Sequence, residues 1–167
     1  DFEVSYDGSP MFRAVAENGT TRQSITSAPS LIRHPSGIGY LVIFGTGKFF
    51  ETTDKAGDKS VAQTVYGIWD EKTRGADTTA PSITRATLQQ QTITNQVTAT
   101  NADGSGGRTA RIISNNPVQW YDTDTAAKQY GWRLDLRNGV LEGEMVVENM
   151  VALGQTVFFQ SLIPNDD

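Results

Sequence analysis

The chain contains no cysteine, a single histidine, and no apolar run near the roughly 20 residues that a membrane-spanning helix needs. Without cysteine, disulfides, thiolate metal sites and cysteine nucleophiles are excluded within these 167 residues, although no compartment follows from that. One histidine and no thiol would leave a zinc ion only carboxylates, so a zinc site is close to excluded. Basic residues are also few: 14 Lys and Arg against 19 Asp and Glu give a net charge of −5. Non-specific nucleic-acid binding and docking on an anionic membrane both want a basic patch, and both are disfavoured. There is no initiating Met, no basic leader and no signal-type apolar segment, so we expect the chain to begin inside a longer polypeptide. Its length suffices for one domain that buries roughly 70% of its unfolded surface.

What is present is β-structure. Tyr40-Leu41-Val42-Ile43-Phe44 is a continuous apolar run of β-branched and aromatic residues that stops at Gly45-Thr46-Gly47, the pattern of a strand buried on both faces. Val65-Tyr66-Gly67-Ile68-Trp69-Asp70 and Gly131-Trp132-Arg133-Leu134-Asp135-Leu136 read likewise as strands. Phe2–Tyr6 and Pro10–Ala16 alternate between apolar and polar residues and end at Asp7-Gly8 and Asn18-Gly19, which are turn signals. Residues 25–32 form a strand candidate bent by Pro29, and the His34-Pro35-Ser36-Gly37 turn folds it antiparallel onto Tyr40–Phe44. Residues 144–153, the Gly154-Gln155 turn and residues 156–163 repeat that hairpin, as successive blades of a propeller do. The period exceeds the roughly 40–50 residues of a blade, which a long insertion inside the first blade reconciles. Residues 71–81 and 95–108 are polar and turn-rich and read as the loop insertions. Between them residues 83–93 favour a strand, residues 111–114 another, and Asp122–Lys128 one short helical turn.

Five motifs stand in one order: Tyr40-Leu41-Val42-Ile43-Phe44-Gly45-Thr46-Gly47-Lys48, Tyr66-Gly67-Ile68-Trp69-Asp70, Ser114-Asn115-Asn116-Pro117, Gly131–Leu136, and Val157-Phe158-Phe159-Gln160-Ser161-Leu162-Ile163-Pro164. In that order they resemble the C-terminal β-propeller of the PilY/PilC family of type IV pilus biogenesis factors, often described as pilus-tip adhesins. The resemblance implies an all-β fold: residues 1–167 as part of a propeller with quinoprotein-like blades, incomplete at both ends. It implies a non-enzymatic role in pilus assembly and adhesion beside minor pilins, with host-cell or other surface receptors as further partners. It also implies an exported, pilus-associated location on the outer membrane surface or outside the cell. The family includes members with a calcium loop, but Asp122-Thr123-Asp124-Thr125 continues into Ala126, without the bend glycine or the downstream bidentate Glu of such a loop. That site is not carried over, and no cofactor is expected in this segment; calcium belongs to the full-length parent if anywhere.

Other chemistry fails on spacing. A P-loop needs a glycine where Val42 stands and a hydroxyl where Phe49 stands, so Gly45–Lys48 reads as a turn with Lys48 in solvent. His34 sits at a strand end entering a turn, and the expected reading is a surface residue without a catalytic partner. Arg74-Gly75-Ala76-Asp77 is an Arg-Gly-Asp tripeptide broken by an alanine. Asn18-Gly19-Thr20 fits a glycosylation acceptor but is also a hairpin turn. Asn101–Gly104 and Asn165–Asp167 read as turns rather than ligands. Trp69 and Trp132 are expected to pack between blades, and Trp120-Tyr121 to be exposed. Leu134-Asp135-Leu136-Arg137-Asn138-Gly139 resembles a quinoprotein dehydrogenase blade signature, the enzyme alternative, but the closing Trp is absent. A structural spacer in a surface protein is the third reading. No catalytic, cofactor-binding or metal residue set is assigned.

Overall fold

The computed structural model describes residues 5–71, 79–104 and 107–164. In chain order the strands are β1 (Ser30–Arg33), β2 (Tyr40–Gly45), β3 (Thr64–Asp70), β4 (Gln89–Gln91), β5 (Ile93–Thr100), β6 (Gly107–Ile113), β7 (Gly131–Asp135), β8 (Val151–Leu153) and β9 (Thr156–Phe158). A five-stranded sheet runs β1-β2-β3-β7-β4, antiparallel except that β4 lies parallel to β7. β5 pairs with β6, and β8 with β9, as separate antiparallel hairpins.

The apolar runs form the central strands because both faces of the sheet are covered. Alternate side chains of a strand point to opposite faces, and β3 divides accordingly. Val65 and Trp69 join Ile32, Leu41, Ile43, Leu134 and Val146 on one side. Tyr66 and Ile68 join Ala14, Phe44, Ile83 and Leu88 on the other. Each fully buried aliphatic or aromatic side chain of this kind contributes about 1.5–3 kcal/mol, so β2 and β3 are the energetic centre of the fold.

The Gly45-Thr46-Gly47 exit is not the tight turn that the sequence suggests. Its glycines answer a close approach: a Cβ on Gly45 would lie 2.4 Å from Cβ of Val146, a residue a hundred positions away in the chain. Thr46 is fully buried, and its hydroxyl accepts the Thr64 N–H at 2.8 Å and donates to Gln63 Oε1 at 2.8 Å. Lys48 is only partly in solvent, paired with Glu51 at 3.1 Å and Asp54 at 3.5 Å.

Several expectations change at element ends. Residues 5–8 form a 3-10 turn in which Tyr6 and Asp7 have φ of 60° and 50°, so the strand expected over 2–6 does not extend there; residues 2–4 lie outside the described residues. Pro10–Ala16 contributes only a single bridge, Val15 to Arg22, around the Asn18-Gly19 turn. Residues 83–93 divide into a 3-10 turn at Arg85–Thr87 and β4, because Thr84 and Thr87 cap that turn with their own side chains. No helix forms over Asp122–Lys128. The Asp122 carboxylate accepts the Lys128 N–H and the Ala126 carbonyl accepts the Thr123 N–H, both at 2.9 Å, and this closes a loop instead. The segment at 95–108, expected as a loop, contributes to the β5–β6 hairpin; its tip residues 105–106, like 72–78 in the other expected insertion, lie outside the described residues.

Candidate functional site

Three polar or aromatic constellations are held by the sheet. The first lies at the end of β3 and β7. Arg85 Nη2 donates to both Asp135 oxygens, at 2.5 and 2.6 Å, and Arg133 Nη1 donates to Asp135 Oδ2 at 2.9 Å. Thr64 Oγ1 donates to Asp135 Oδ1 at 2.9 Å, and Tyr66 OH lies 2.7 Å from Gln23 Oε1 and 3.1 Å from Arg85 Nη1. Burial raises the Tyr66 phenol above its ordinary value, an effect that Arg85 partly offsets. Burial alone would weaken the Arg85 proton, but its bonds to Asp135 more than compensate and its pKa is raised. Asp135, whose motif suggested a quinoprotein blade, is therefore a structural counter-ion. The cluster is hydrogen-bonded throughout, as buried polar groups are.

The second constellation corrects the reading of His34. It is not at the surface: only 2% of it is exposed, and its ring stacks on Trp69 with centroids 4.1 Å apart and meets Trp120 edge-on at 4.4 Å. The Ser36 N–H reaches Nδ1 at 3.2 Å, while Nε2 is buried without a hydrogen-bond partner. Burial lowers the His34 pKa; Glu71 pushes it up and Lys128 down. Lys128 pairs with Glu71 and sits over the Trp69 and Tyr130 rings at 4.7 and 4.8 Å. The exposure expected for Trp120-Tyr121 holds for Tyr121 alone, since Trp120 packs against the core. Sequence reasoning missed this cluster because its members come from β3 and from two loops far apart in the chain. Trp69 is buried in the core of the sheet, and Trp132 covers the open face of Gly67.

The third lies under the β5–β6 hairpin. Arg111 pairs with Glu144, which is 5% exposed, and reaches Glu142 at 3.2 Å, while Ser161 Oγ donates to Glu144 Oε1 at 2.5 Å. Arg111, Glu144 and Ser161 border a cavity of about 780 Å³ that adjoins a second of about 440 Å³, the two sharing Ile113, Leu134 and Phe159. The described residues contain no group of three or more His, Asp or Glu placed to hold a metal ion. Asn18 accepts the Thr20 and Thr21 N–H groups, so its acceptor motif is a turn. Arg74–Asp77 and Asn165–Asp167 lie outside the described residues.

A family model described as the PilY1 beta-propeller domain matches residues 1–105. The chain belongs to the PilY1 family. It is 52% identical over 168 residues to the protein named type IV pilus biogenesis factor PilY1 of Pseudomonas aeruginosa strain PAO1, and equally to that of strain PAK. Against the strain UCBPP-PA14 protein it is 49% identical over 174 residues. These alignments take in 99% of the chain but only 14–15% of the relatives, so the chain spans about a seventh of their length. The crystal structure of the Pseudomonas aeruginosa PilY1 C-terminal domain superposes with a TM-score of 0.87 at 50% identity, over 96% of this chain and 33% of that one. The chain is thus a portion of a PilY1-type β-propeller. Propeller blades are four-stranded antiparallel sheets, and β1-β2-β3-β7 is a sheet of that kind, with β4 parallel beside β7. The connection from β3 to β7 holds β4 and the β5–β6 hairpin.

Proposed function

We propose that this chain serves type IV pilus biogenesis as a non-catalytic part of the propeller scaffold of a pilus-associated surface factor. The observation that carries the reading is the 52% identity over 99% of the chain to proteins named as such factors. The chemistry is compatible. In the first constellation one carboxylate, Asp135, pairs with two guanidiniums, the lone histidine is shut inside an aromatic stack, and the net negative charge disfavours anionic polymers. In this reading the propeller presents its loops to minor pilins at the pilus tip and, beyond them, to host-cell or other surfaces. The segment requires no cofactor of its own. A chelator is expected to leave its unfolding temperature unchanged, and a chelator-induced loss of structure would put a calcium site back among these residues.

The test is made in cells. Replacing Asp135 by Ala in the full-length factor strips the counter-ion from two guanidiniums and is expected to abolish surface pili, measured as sheared pilin, and twitching motility with it. Mass spectrometry of the sheared pili of the unaltered strain is expected to find peptides of this sequence beside the pilins. Peptides confined to a soluble periplasmic fraction, with pili unaffected by the substitution, would overturn the proposal.

A further inference from the structure

Two Asn-Gly steps stand in turns, and the fold treats them differently. Asn18-Gly19 is locked. The Gly19 N–H donates to the Ala16 carbonyl at 2.9 Å, and Asn18 Oδ1 accepts the Thr20 and Thr21 N–H groups at 3.1 and 3.0 Å. Asn18 Nδ2 donates to Thr21 Oγ1 at 2.8 Å. The Asn138 side chain, by contrast, makes one hydrogen bond, from Nδ2 to Gln96 Oε1 at 3.1 Å. Among the described residues the Gly139 N–H meets no acceptor. Gly139 is exposed, has φ of +79°, and a Cβ placed there would touch nothing within 4 Å.

That difference bears on a reaction of the side-chain amide. The Cγ of an asparagine is open to attack by the backbone nitrogen of the next residue, and glycine, with no side chain, hinders the approach least. The attack needs an N–H free of other bonds and an asparagine side chain able to swing over it. Asn18 fails on both counts, because its Oδ1, its Nδ2 and the Gly19 N–H are all engaged within the turn. Asn138 meets both once its bond to Gln96 opens.

We propose that Asn138 is a site of spontaneous deamidation, and that its conversion loosens the β5–β6 hairpin. The Gly139 nitrogen bonds to Cγ of Asn138 and gives up its proton, the Cγ–Nδ2 bond breaks, and Nδ2 leaves with that proton as ammonia. Water then opens the cyclic imide at either carbonyl, which leaves aspartate or isoaspartate and releases one proton at neutral pH. Solvent water is the only co-reactant. The product puts a carboxylate, which accepts hydrogen bonds but donates none, where an amide N–H had been. Gln96 Oε1 accepts from both Asn138 Nδ2 and Arg111 Nε, each at 3.1 Å. Beside a carboxylate, Gln96 either faces it oxygen to oxygen or turns its own amide and forfeits the bond from Arg111. Each choice takes one hydrogen bond from the hairpin, since Gln96 lies on β5 and Arg111 on β6.

The inference is separate from the pilus reading, and so is its test. The full-length protein is held at 37 °C for several weeks, at pH 6.5 and at pH 8.5. Samples are digested with pepsin in acid, so that handling adds no product, and amide-to-acid conversion is read at each asparagine by mass spectrometry. Asn138 is expected to convert at least tenfold faster than Asn18, and faster at the higher pH because the attacking nitrogen must lose its proton. In concentrated urea, where neither turn survives, the two are expected to convert within a few-fold of each other, which assigns the difference to the fold. Asn138→Asp is expected to raise amide hydrogen exchange several-fold across residues 93–100 and 107–113 while leaving residues 64–70 of β3 unchanged. Three outcomes would overturn the proposal: Asn138 converting no faster than Asn18 in the folded protein, the same tenfold excess persisting in urea, or hairpin exchange indifferent to Asn138→Asp.

Discussion

β3 and β5 are strands of nearly equal length with opposite fates. Six of the seven residues of β3 are buried, whereas β5 is exposed along its whole length after Ile93. Both are rich in residues that suit extended backbone. β3 is a strand because two packed layers require it, and β5 because Thr, Val and Ile favour extended backbone and β6 lies beside it. Burial therefore separates the part of the chain that holds the fold from the part that adds little to its core. Substitutions are expected to divide along the same line.

The largest expected effect falls on the blade. Asp135→Ala leaves Arg85 and Arg133, both largely buried, without their carboxylate. Removing one partner of a buried pair costs about 3–5 kcal/mol, enough to unfold a marginal domain, and urea unfolding would read it directly. Gly131→Ala comes next. Gly131 has φ of +137°, and a Cβ there would lie 1.9 Å from the Gly67 carbonyl oxygen in the paired strand. Forcing a side chain into such backbone costs about 1–3 kcal/mol before the β3–β7 separation is counted. If either variant unfolds like the wild type, the blade is not the energetic centre argued for it.

A smaller effect follows pH. Because burial holds the His34 pKa below its ordinary value, the unfolded chain binds a proton more readily than the folded one. The contribution of neutral His34 is present above its unfolded pKa of about 6.5 and is lost as pH falls through that value toward the folded one. The unfolding temperature is therefore expected to drop between about pH 7 and pH 5, and His34→Phe to flatten that part of the profile. A profile with the same slope in both proteins would place the titration elsewhere, on carboxylates.

Legibility in the sequence tracked the same division. The apolar runs of β2 and β3 announced themselves because burial on both faces leaves a continuous hydrophobic signature, and the ordered motifs carried β7 and the family with them. Features made by distant neighbours did not show. Gly45 looks like a turn glycine until Val146 is seen lying against it, and His34 looks like a surface residue until Trp69 and Trp120 close over it. Residues 95–108, most of the β5–β6 hairpin, read as loop because a strand with no buried face lacks the period that marks one, while residues 111–114 at its end read as a strand. Asp135 and Arg85 stand fifty positions apart, and no local pattern links them.

The smallest expected effect is the sharpest test of the comparison. Val65→Lys and Val97→Lys make the same chemical change in two strands of the same chain. Val65 is fully buried in the core shared with Ile43, Leu134 and Val146, so a lysine there must either strip its charge of water or break the packing. Val97 is half exposed on the outer face of the hairpin, and a lysine there keeps its ammonium in solvent while its stem covers Ile112. The first variant is expected to be recovered unfolded. The second should stay within about 0.5 kcal/mol of the wild type, measured by urea unfolding monitored through the three tryptophans, none of which lies on the hairpin. A large loss from Val97→Lys would mean that the outward face is already covered within the protein, and β5 would then belong with the blade.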